Sequence, residues 1–452
     1  VLGVDVGTGS ARAGLFGLDG RLLAQGRAGY PTVFPQPGWA EQDPAAVWGA
    51  VCAAVQACLQ AARGAAPLAL SLASTAVTAV TVDAAGAPTG PALLWMDTRA
   101  AAEAAEITAT GHPSLWYTGG QVSPEWMLPK ALWLRRHQTA RYAAARWLVE
   151  LHDWLLYRLT GRWALASATA SAEWGYDPRA RSWPVDLLAS VGLADLTARW
   201  PEVVLDPGQA AGAVLSPAAE ATGLPAGLPV FQGLMDSFAA ALACDVFRAG
   251  RAAVSLGSSS SYMALTAEPV SDPRLLGPIR DALGPGSYLM QGGQTSAASL
   301  VRWFCAELGG GLDAAALDAQ AQQVPPGSEG VIAIDTWQGS RTPFRDPRRR
   351  GAFTGLALSH GRPHLYRAIL ESVAYGGRQI TEAFAGAGAG LHELVLTGGG
   401  SRSRLWRQIH ADVLGRPLRR LAQPLPAAAG AAICAATGLG AFADLRAAAA
   451  AM

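Results

Sequence analysis

Two stretches of this chain, about 250 residues apart, set an apolar strand pattern, a turn of small residues and a second strand pattern in direct succession. The first runs through residues 1–6, the 7–10 turn and residues 11–16, then through Leu18-Asp19-Gly20 into another apolar run at 21–24. The second comprises residues 252–256, the 257–260 turn and residues 262–265. A dinucleotide-binding crossover needs a helix directly after its glycines, and here a strand follows Gly7-Thr8-Gly9. The order is that of an antiparallel meander. Its recurrence predicts two structurally related halves rather than a short-period repeat, with a boundary near Phe247.

Composition narrows the function classes. A chain of 452 residues suits two or three domains, and 50% hydrophobic against 15% charged residues excludes general disorder. Lys plus Arg is 35 and Asp plus Glu is 34, a balance without the electrostatic footprint of a nucleic-acid binder. The five cysteines lie far apart with no CxxC pair, which fits neither a disulfide framework nor a zinc site and favours a reducing, cytoplasmic setting. The longest uncharged run, 421–442, is broken by Pro424 and Pro426 and reads as a buried Ala-rich helix rather than a membrane span. No signal-peptide pattern opens the chain. Lys130 is the only lysine, the other 34 basic residues being Arg. That excludes a GxxxxGK[ST] loop and a protein-kinase strand lysine.

Between the turns, Asp43-Pro44 starts a helix in which Val47, Val51, Ala54, Val55 and Cys58 recur at helical spacing. Residues 68–73 and 77–82 read as strands, and 98–109 and 128–146 as helices. The apolar run 228–231 ends in Gln232-Gly233, and Asp236 opens a helix through Ala243. A third glycine turn, Thr397-Gly398-Gly399-Gly400, separates the strand pattern 394–396 from the helix pattern 405–414.

Small residues at a strand end let backbone N–H groups come close to phosphate oxygens, and hydroxyls add donors. Three such turns make one phosphate site plausible where a single turn would read as an ordinary hairpin. Asp5 stands beside the first turn, where a carboxylate suits Mg²⁺ held through water. Asp236 sits between strand and helix, where the helix dipole is expected to hold it ionised and ready to accept a proton. By residue type alone it is equally a plain helix cap.

With these motifs in place, the chain resembles the FGGY family of carbohydrate kinases over its whole length, in particular the ribulokinase- and xylulokinase-like pentulose kinases. Asp5-Val6-Gly7-Thr8-Gly9-Ser10-Ala11-Arg12-Ala13 looks like the family's first phosphate motif, Gly257-Ser258-Ser259 like the second and Gly398-Gly399-Gly400 like the adenosine motif. The run 399–418 (Gly-Gly-Ser-Arg-Ser-Arg-Leu-Trp-Arg-Gln-Ile-His-Ala-Asp-Val-Leu-Gly-Arg-Pro-Leu) follows the C-terminal family signature almost throughout. Pro37-Gly38-Trp39-Ala40-Glu41-Gln42-Asp43-Pro44 is also characteristic, as is Gly339-Ser340-Arg341-Thr342-Pro343 with Asp346-Pro347 and Arg350-Gly351. Lys130, Trp133 and His137 fit the spacing of the N-terminal signature, with Ala131 in place of a larger apolar residue. The 424–430 segment is similar to the family's entry into its last helix, but lacks the acidic residue often found there.

The resemblance implies two RNase-H-like (actin-like ATPase) α/β domains with an interdomain cleft, residues 1–246 carrying the sugar site and the base and 247–452 the nucleotide site. It implies ATP and Mg²⁺, with Asp236 as catalytic base and Asp5 at the metal. Gly7, Thr8, Gly9, Ser10, Arg12, Gly257, Ser258, Ser259, Gly399, Gly400 and Ser403 are expected at the nucleotide's phosphates and adenosine. Ser74, Thr75, Glu125, Trp126, Lys130 and Asp236 are expected at the sugar. Glycerol kinases carry an Arg-Glu pair and xylulokinases a Met-His pair where this chain has Ala76-Val77, and the xylulokinase Asn after the base is Ser237 here. Trp95-Met96-Asp97-Thr98-Arg99 and Ser123-Pro124-Glu125-Trp126 look more like the ribulokinase branch. The expected substrate is a ketopentose of the ribulose type. Xylulose, an erythritol-type polyol, or a non-catalytic sugar and nucleotide sensor on the same scaffold remain the alternatives. No nucleic-acid or membrane partner is expected, and a homodimer is left open.

Overall fold

The computed structural model describes residues 1–346 and 348–452; Pro347, of the Asp346-Pro347 pair, lies outside the described residues. The chain forms two compact units: residues 1–245, 278–288 and 423–452 make the first, and 246–277 and 289–422 the second. The first change of unit falls beside the expected boundary near Phe247. The last segment, placed with 247–452 by the sequence, folds instead with the first unit.

In the first unit, strands β1 (Leu2–Val6), β2 (Ser10–Phe16), β3 (Leu22–Gly29), β4 (Leu70–Ser74), β5 (Ala210–Ala213) and β6 (Pro229–Met235) form a sheet in the order β5-β6-β4-β1-β2-β3. β1, β2 and β3 are the antiparallel meander read from the sequence. β1, β4 and β6 run parallel, and their register sets Val6 opposite Ser74 and Ser74 opposite Met235. Three strands therefore end side by side, at Asp5-Val6, at Ser74 and at Met235-Asp236. In open α/β sheets this carboxyl edge is where ligands bind.

Helices cover the sheet. Pro44–Ala61 starts where expected, with Asp43 accepting a hydrogen bond from the Ala45 N–H at 2.9 Å. It is long and apolar enough to cross a membrane, yet half of it is buried, and it lies against β2 and β3. The Ala-rich helix Pro426–Gly438 packs on β1 and on the helix Asp236–Ala243. The contact is backbone to backbone: a Cβ on Gly430 would lie 1.9 Å from the Ala239 carbonyl oxygen, so only glycine fits. Small side chains thus hold together the helix that begins with Asp236 and the last helix. This close packing is why residues 423–452 belong to the first unit.

The helix pattern 128–146 is broken. Met127–His137 and Thr139–Ala144 are separate helices, with Gln138 at φ −130° and ψ 52° between them. The Thr139 hydroxyl donates to the Arg135 carbonyl at 3.1 Å, a local bond that competes with the helical ladder. Apolar spacing on both sides hides the break.

The second unit repeats the arrangement. Strand β7 (Arg251–Leu256) pairs antiparallel with β8 (Ser260–Thr266) and parallel with β9 (Glu393–Thr397), which pairs parallel with β10 (Leu418–Arg420). Ser255 lies opposite Thr397, so the 257–260 and 398–400 turns adjoin. Gly398 has φ +81°, and a Cβ there would meet the Leu256 carbonyl oxygen at 2.7 Å. The long helix Arg362–Gly386 supplies core residues on one side of this sheet. None of the five cysteines forms a disulfide.

Candidate active site

At the carboxyl edge of the first sheet, Asp5 is buried and its Oδ2 accepts a hydrogen bond from Arg12 Nη1 at 2.7 Å. The two residues face each other across the β1–β2 hairpin. Burial raises the Asp5 carboxyl and the Arg12 charge opposes that rise. The Arg12 side chain keeps 35% exposure.

Asp236 is half-buried at the first turn of its helix. Its carboxyl is pushed up to about 7, first by burial and then by the Asp5 charge; the Ser237 N–H bond and Arg12 oppose this. The expectation that the helix dipole holds Asp236 ionised meets opposing effects, since burial and the Asp5 charge outweigh the lowering by the Ser237 N–H and Arg12. The group titrates near neutrality. A carboxyl with that affinity can take a proton from an alcohol and release it again.

The 7–10 turn is held from behind through its carbonyls. The Gly7 carbonyl accepts from the Tyr30 hydroxyl. The Thr8 carbonyl accepts from Gln42 Nε2 at 2.5 Å and from the Thr32 hydroxyl at 3.3 Å. The Gly9 carbonyl accepts from the Tyr30 N–H at 3.3 Å, and the Thr8 hydroxyl from Trp95 Nε1 at 3.0 Å. Among the described residues, the N–H groups of Thr8 and Gly9 have no protein partner. Nothing lies within 4 Å of a Cβ built on Gly9. A turn with its carbonyls tied back and its N–H groups open has the form of an anion cradle. Ser10, buried at the start of β2, closes it with a 3.2 Å bond from the Gly7 N–H to its own carbonyl.

Four contributors, Tyr30, Thr32, Gln42 and Trp95, were not singled out from the sequence. Tyr30 carries no motif. Gln42 and Trp95 lie inside the two characteristic segments, and the structure shows why these occur together. Arg99 donates to Asp97 at 2.7 Å and to Glu41 at 2.7 Å, Asp97 accepts from the Ala40 N–H at 2.7 Å, and the Arg99 guanidinium stacks 3.7 Å from the Trp39 ring centre. This buried knot fastens the 37–44 segment to the 95–99 segment, and with them Gln42 and Trp95 to Thr8.

The expected sugar residues divide. Ser74 and Thr75 are buried; Thr75 Oγ1 lies 3.1 Å from Thr78 Oγ1, and Ser74 donates to the Thr75 carbonyl at 3.3 Å. They line the edge next to Asp236 but turn their hydroxyls inward. Glu125 is half-buried and accepts from the Ser123 hydroxyl at 3.2 Å. Trp126 is buried, so it contributes packing. Lys130 has no exposed surface, and its ammonium is spent on the carbonyls of Val77, Leu93 and Leu94. The expectation that it touches the sugar is corrected: a cation this deep must satisfy its donors within the protein.

Two further acids lie near it. Glu150 accepts from Trp174 Nε1 at 3.1 Å and from the Thr78 N–H at 2.8 Å, and burial pushes it up to about 7 despite Lys130. Glu173 is raised well above its usual range by burial, by Glu150 and, in smaller part, by Asp236, while Lys130 opposes this; its Oε2 has no partner among the described residues. No local pattern marks either residue, because only the fold brings them to this edge.

In the second unit the 257–260 turn is tied back in the same way. The Ser258 carbonyl accepts from the Ala297 N–H at 2.8 Å and the Ser299 hydroxyl at 2.6 Å, and the Ser258 hydroxyl accepts from Arg302 at 2.9 Å. Gly257 and Ser259 are half-buried. Gly399 is exposed, whereas Gly400 is buried beneath Trp406. Ser403 caps the helix Arg404–Leu414 through a 3.0 Å bond from the Trp406 N–H. Among the described residues no group of three His, Cys, Asp or Glu side chains forms a metal-binding cluster.

Comparison with known proteins accords with this geometry. Residues 1–243 match the N-terminal domain of the FGGY family of carbohydrate kinases, and residues 252–439 match its C-terminal domain. A xylulose kinase of Escherichia coli (strain K12) is 31% identical over 92% of this chain and 85% of its own length. A ribulokinase of Geobacillus thermodenitrificans (strain NG80-2) is 30% identical over 97% of this chain and 86% of its own length. The crystal structure of a xylulose kinase from Rhodospirillum rubrum superposes with a TM-score of 0.87 at 32% identity, over 100% of this chain and 92% of that one. Two matched domains, in order and over nearly the whole length, establish that the chain belongs to the FGGY family of carbohydrate kinases.

Proposed function

We propose that the chain transfers the γ-phosphate of ATP to a hydroxyl of a ketopentose of the ribulose type, with Asp236 as general base. Membership of the family makes it a phosphotransferase with an alcohol acceptor, and kinases of this family take ATP as donor. The observation that carries the residue-level reading is Asp236, poised near neutrality at the strand edge it shares with Asp5, Arg12 and the open N–H groups of the 7–10 turn.

In the reaction, ionised Asp236 accepts the proton of the sugar hydroxyl as that oxygen bonds to the γ-phosphorus. The bond from phosphorus to the bridging oxygen breaks, and ADP leaves. Such transfers depend mainly on positioning and on stabilising charge. Arg12 and the Thr8 and Gly9 N–H groups suit the phosphoryl oxygens. Asp5, a buried oxygen donor beside the 7–10 turn, would hold Mg²⁺ through water, which would supply charge neutralisation at the phosphates. The 257–260 and 398–400 turns are assigned to the nucleotide.

Relatives named ribulokinase and xylulose kinase support a ketopentose. The ribulose type is preferred on the 95–99 and 123–126 segments. A xylulose acceptor is the second reading, favoured by the xylulose kinases among the relatives and structural matches. The test is sugar-dependent ADP release across a panel of pentuloses, hexuloses and polyols. The reading expects the highest kcat/KM with a pentulose. A polyol or hexulose ahead of every pentulose would overturn it.

A further inference from the structure

The chain's single lysine holds a strained turn. Val77 has φ 49°, a conformation that β-branched residues rarely adopt, and it is buried. Strain of this kind persists only where the surroundings fix the backbone. Around Val77 they do. The Thr75 N–H donates to the Val6 carbonyl at 2.9 Å, the Thr78 N–H to Glu150 Oε2 at 2.8 Å, and the Leu151 N–H to the Thr78 carbonyl at 2.8 Å. The Val77 carbonyl itself accepts from Lys130 Nζ. The same ammonium donates to the Leu93 carbonyl at 3.2 Å and the Leu94 carbonyl at 2.6 Å, immediately before Trp95, which bonds the Thr8 hydroxyl. One buried cation therefore ties the 75–78 turn to the segment that steadies the 7–10 turn.

The chemistry of the group fits the task. An ammonium has three donors around one atom and here meets three carbonyls with no exposed surface. A guanidinium spreads its donors over a wide plane and cannot converge on three acceptors in that volume. In a chain that uses Arg at every other basic position, this site has a physical reason to keep Lys.

We propose that Lys130 is a positioning residue for the acceptor side: it holds Val77 in its left-handed conformation and so sets the 74–77 wall beside Asp236, without touching sugar. The proposal rests on the assignment of that wall to the acceptor. The test is a double-mutant cycle of Lys130→Met and Val77→Gly, because glycine adopts this conformation unaided and has less need of the clamp. Lys130→Met is expected to raise the sugar KM about 10-fold or more, with the KM for ATP within about 2-fold. In the Val77→Gly background the same change is expected to raise the sugar KM no more than about 3-fold. An equal effect in both backgrounds, or an ATP KM that moves as far as the sugar KM, overturns the proposal. If Lys130→Met does not fold, Lys130→Arg is read by the same criteria. Amide hydrogen exchange at Thr75 and Thr78 reads the clamp without turnover: it should speed about 10-fold in the lysine variant and recover in the double variant. Unchanged exchange refutes the clamp itself. Altered exchange with an unchanged sugar KM refutes only the assignment of the wall.

Discussion

As the proposed general base, Asp236 has opposed effects on activity and on stability, and both can be measured. Its carboxyl is raised from 3.8 to about 7, so a general base at this position must lose its proton before it can act on the acid side. The kcat/KM for sugar should rise with pH through an apparent pKa near 7. Because Asp5 contributes to the rise, Asp5→Asn should move that limb to lower pH while lowering the rate; a limb that stays in place would show that the Asp5 charge is not felt at Asp236. Stability runs the other way. A group whose folded pKa lies above its unfolded value favours the fold below the unfolded value and loses that contribution as pH rises through the folded one. Asp236→Asn should therefore resist urea better than wild type at pH 8 and show no such gain at pH 4. A gain of the same size at both would place its cause elsewhere. Lys130 shows the limit of reading single residues. Its rarity was visible in the sequence and its burial was not, because the carbonyls of residues 77, 93 and 94 are assembled only by the fold.

Among the elements, alternation of apolar residues and turn chemistry were enough to locate the meander, the helix that Asp43 caps, and the junction at Asp236. These are local signals. What local signals could not reach is which elements meet. The Ala-rich helix Pro426–Gly438 was legible as buried, but its partner, the helix Asp236–Ala243, lies far away in the chain. Gly430 is where that contact is tightest. Gly430→Ala should lower stability by about 1–3 kcal/mol, as overpacking of a close contact does, measured as a lower urea midpoint. It should also lower kcat, since the displaced Ala239 belongs to the helix that carries Asp236, the proposed base. A variant with wild-type stability would mean the two helices separate freely.

At the scale of the whole molecule, the sequence showed two related halves because the strand–turn–strand pattern recurs in each sheet: β1 with β2 and β4, β7 with β8 and β9. The return of residues 423–452 to the first unit was not legible, since nothing local distinguishes a helix that closes one unit from a helix that closes the other. Substrate choice belongs to this scale too, because the family spans different acceptors. Ala76 and Val77 offer no side-chain hydrogen bonds to a small triol at the proposed acceptor wall, so glycerol should show a kcat/KM at least about 100-fold below that of the best ketopentose. Comparable values would refute this reading of the wall. The central claim is that Asp236 removes the acceptor's proton, and the most direct measurement is kcat for Asp236→Asn with the best ketopentose, alongside calorimetric binding of ATP and sugar. The account predicts binding within a few-fold of wild type and kcat lower by about 10²–10⁴-fold. An Asn variant that keeps more than about a tenth of the wild-type kcat, with both ligands bound normally, would contradict it.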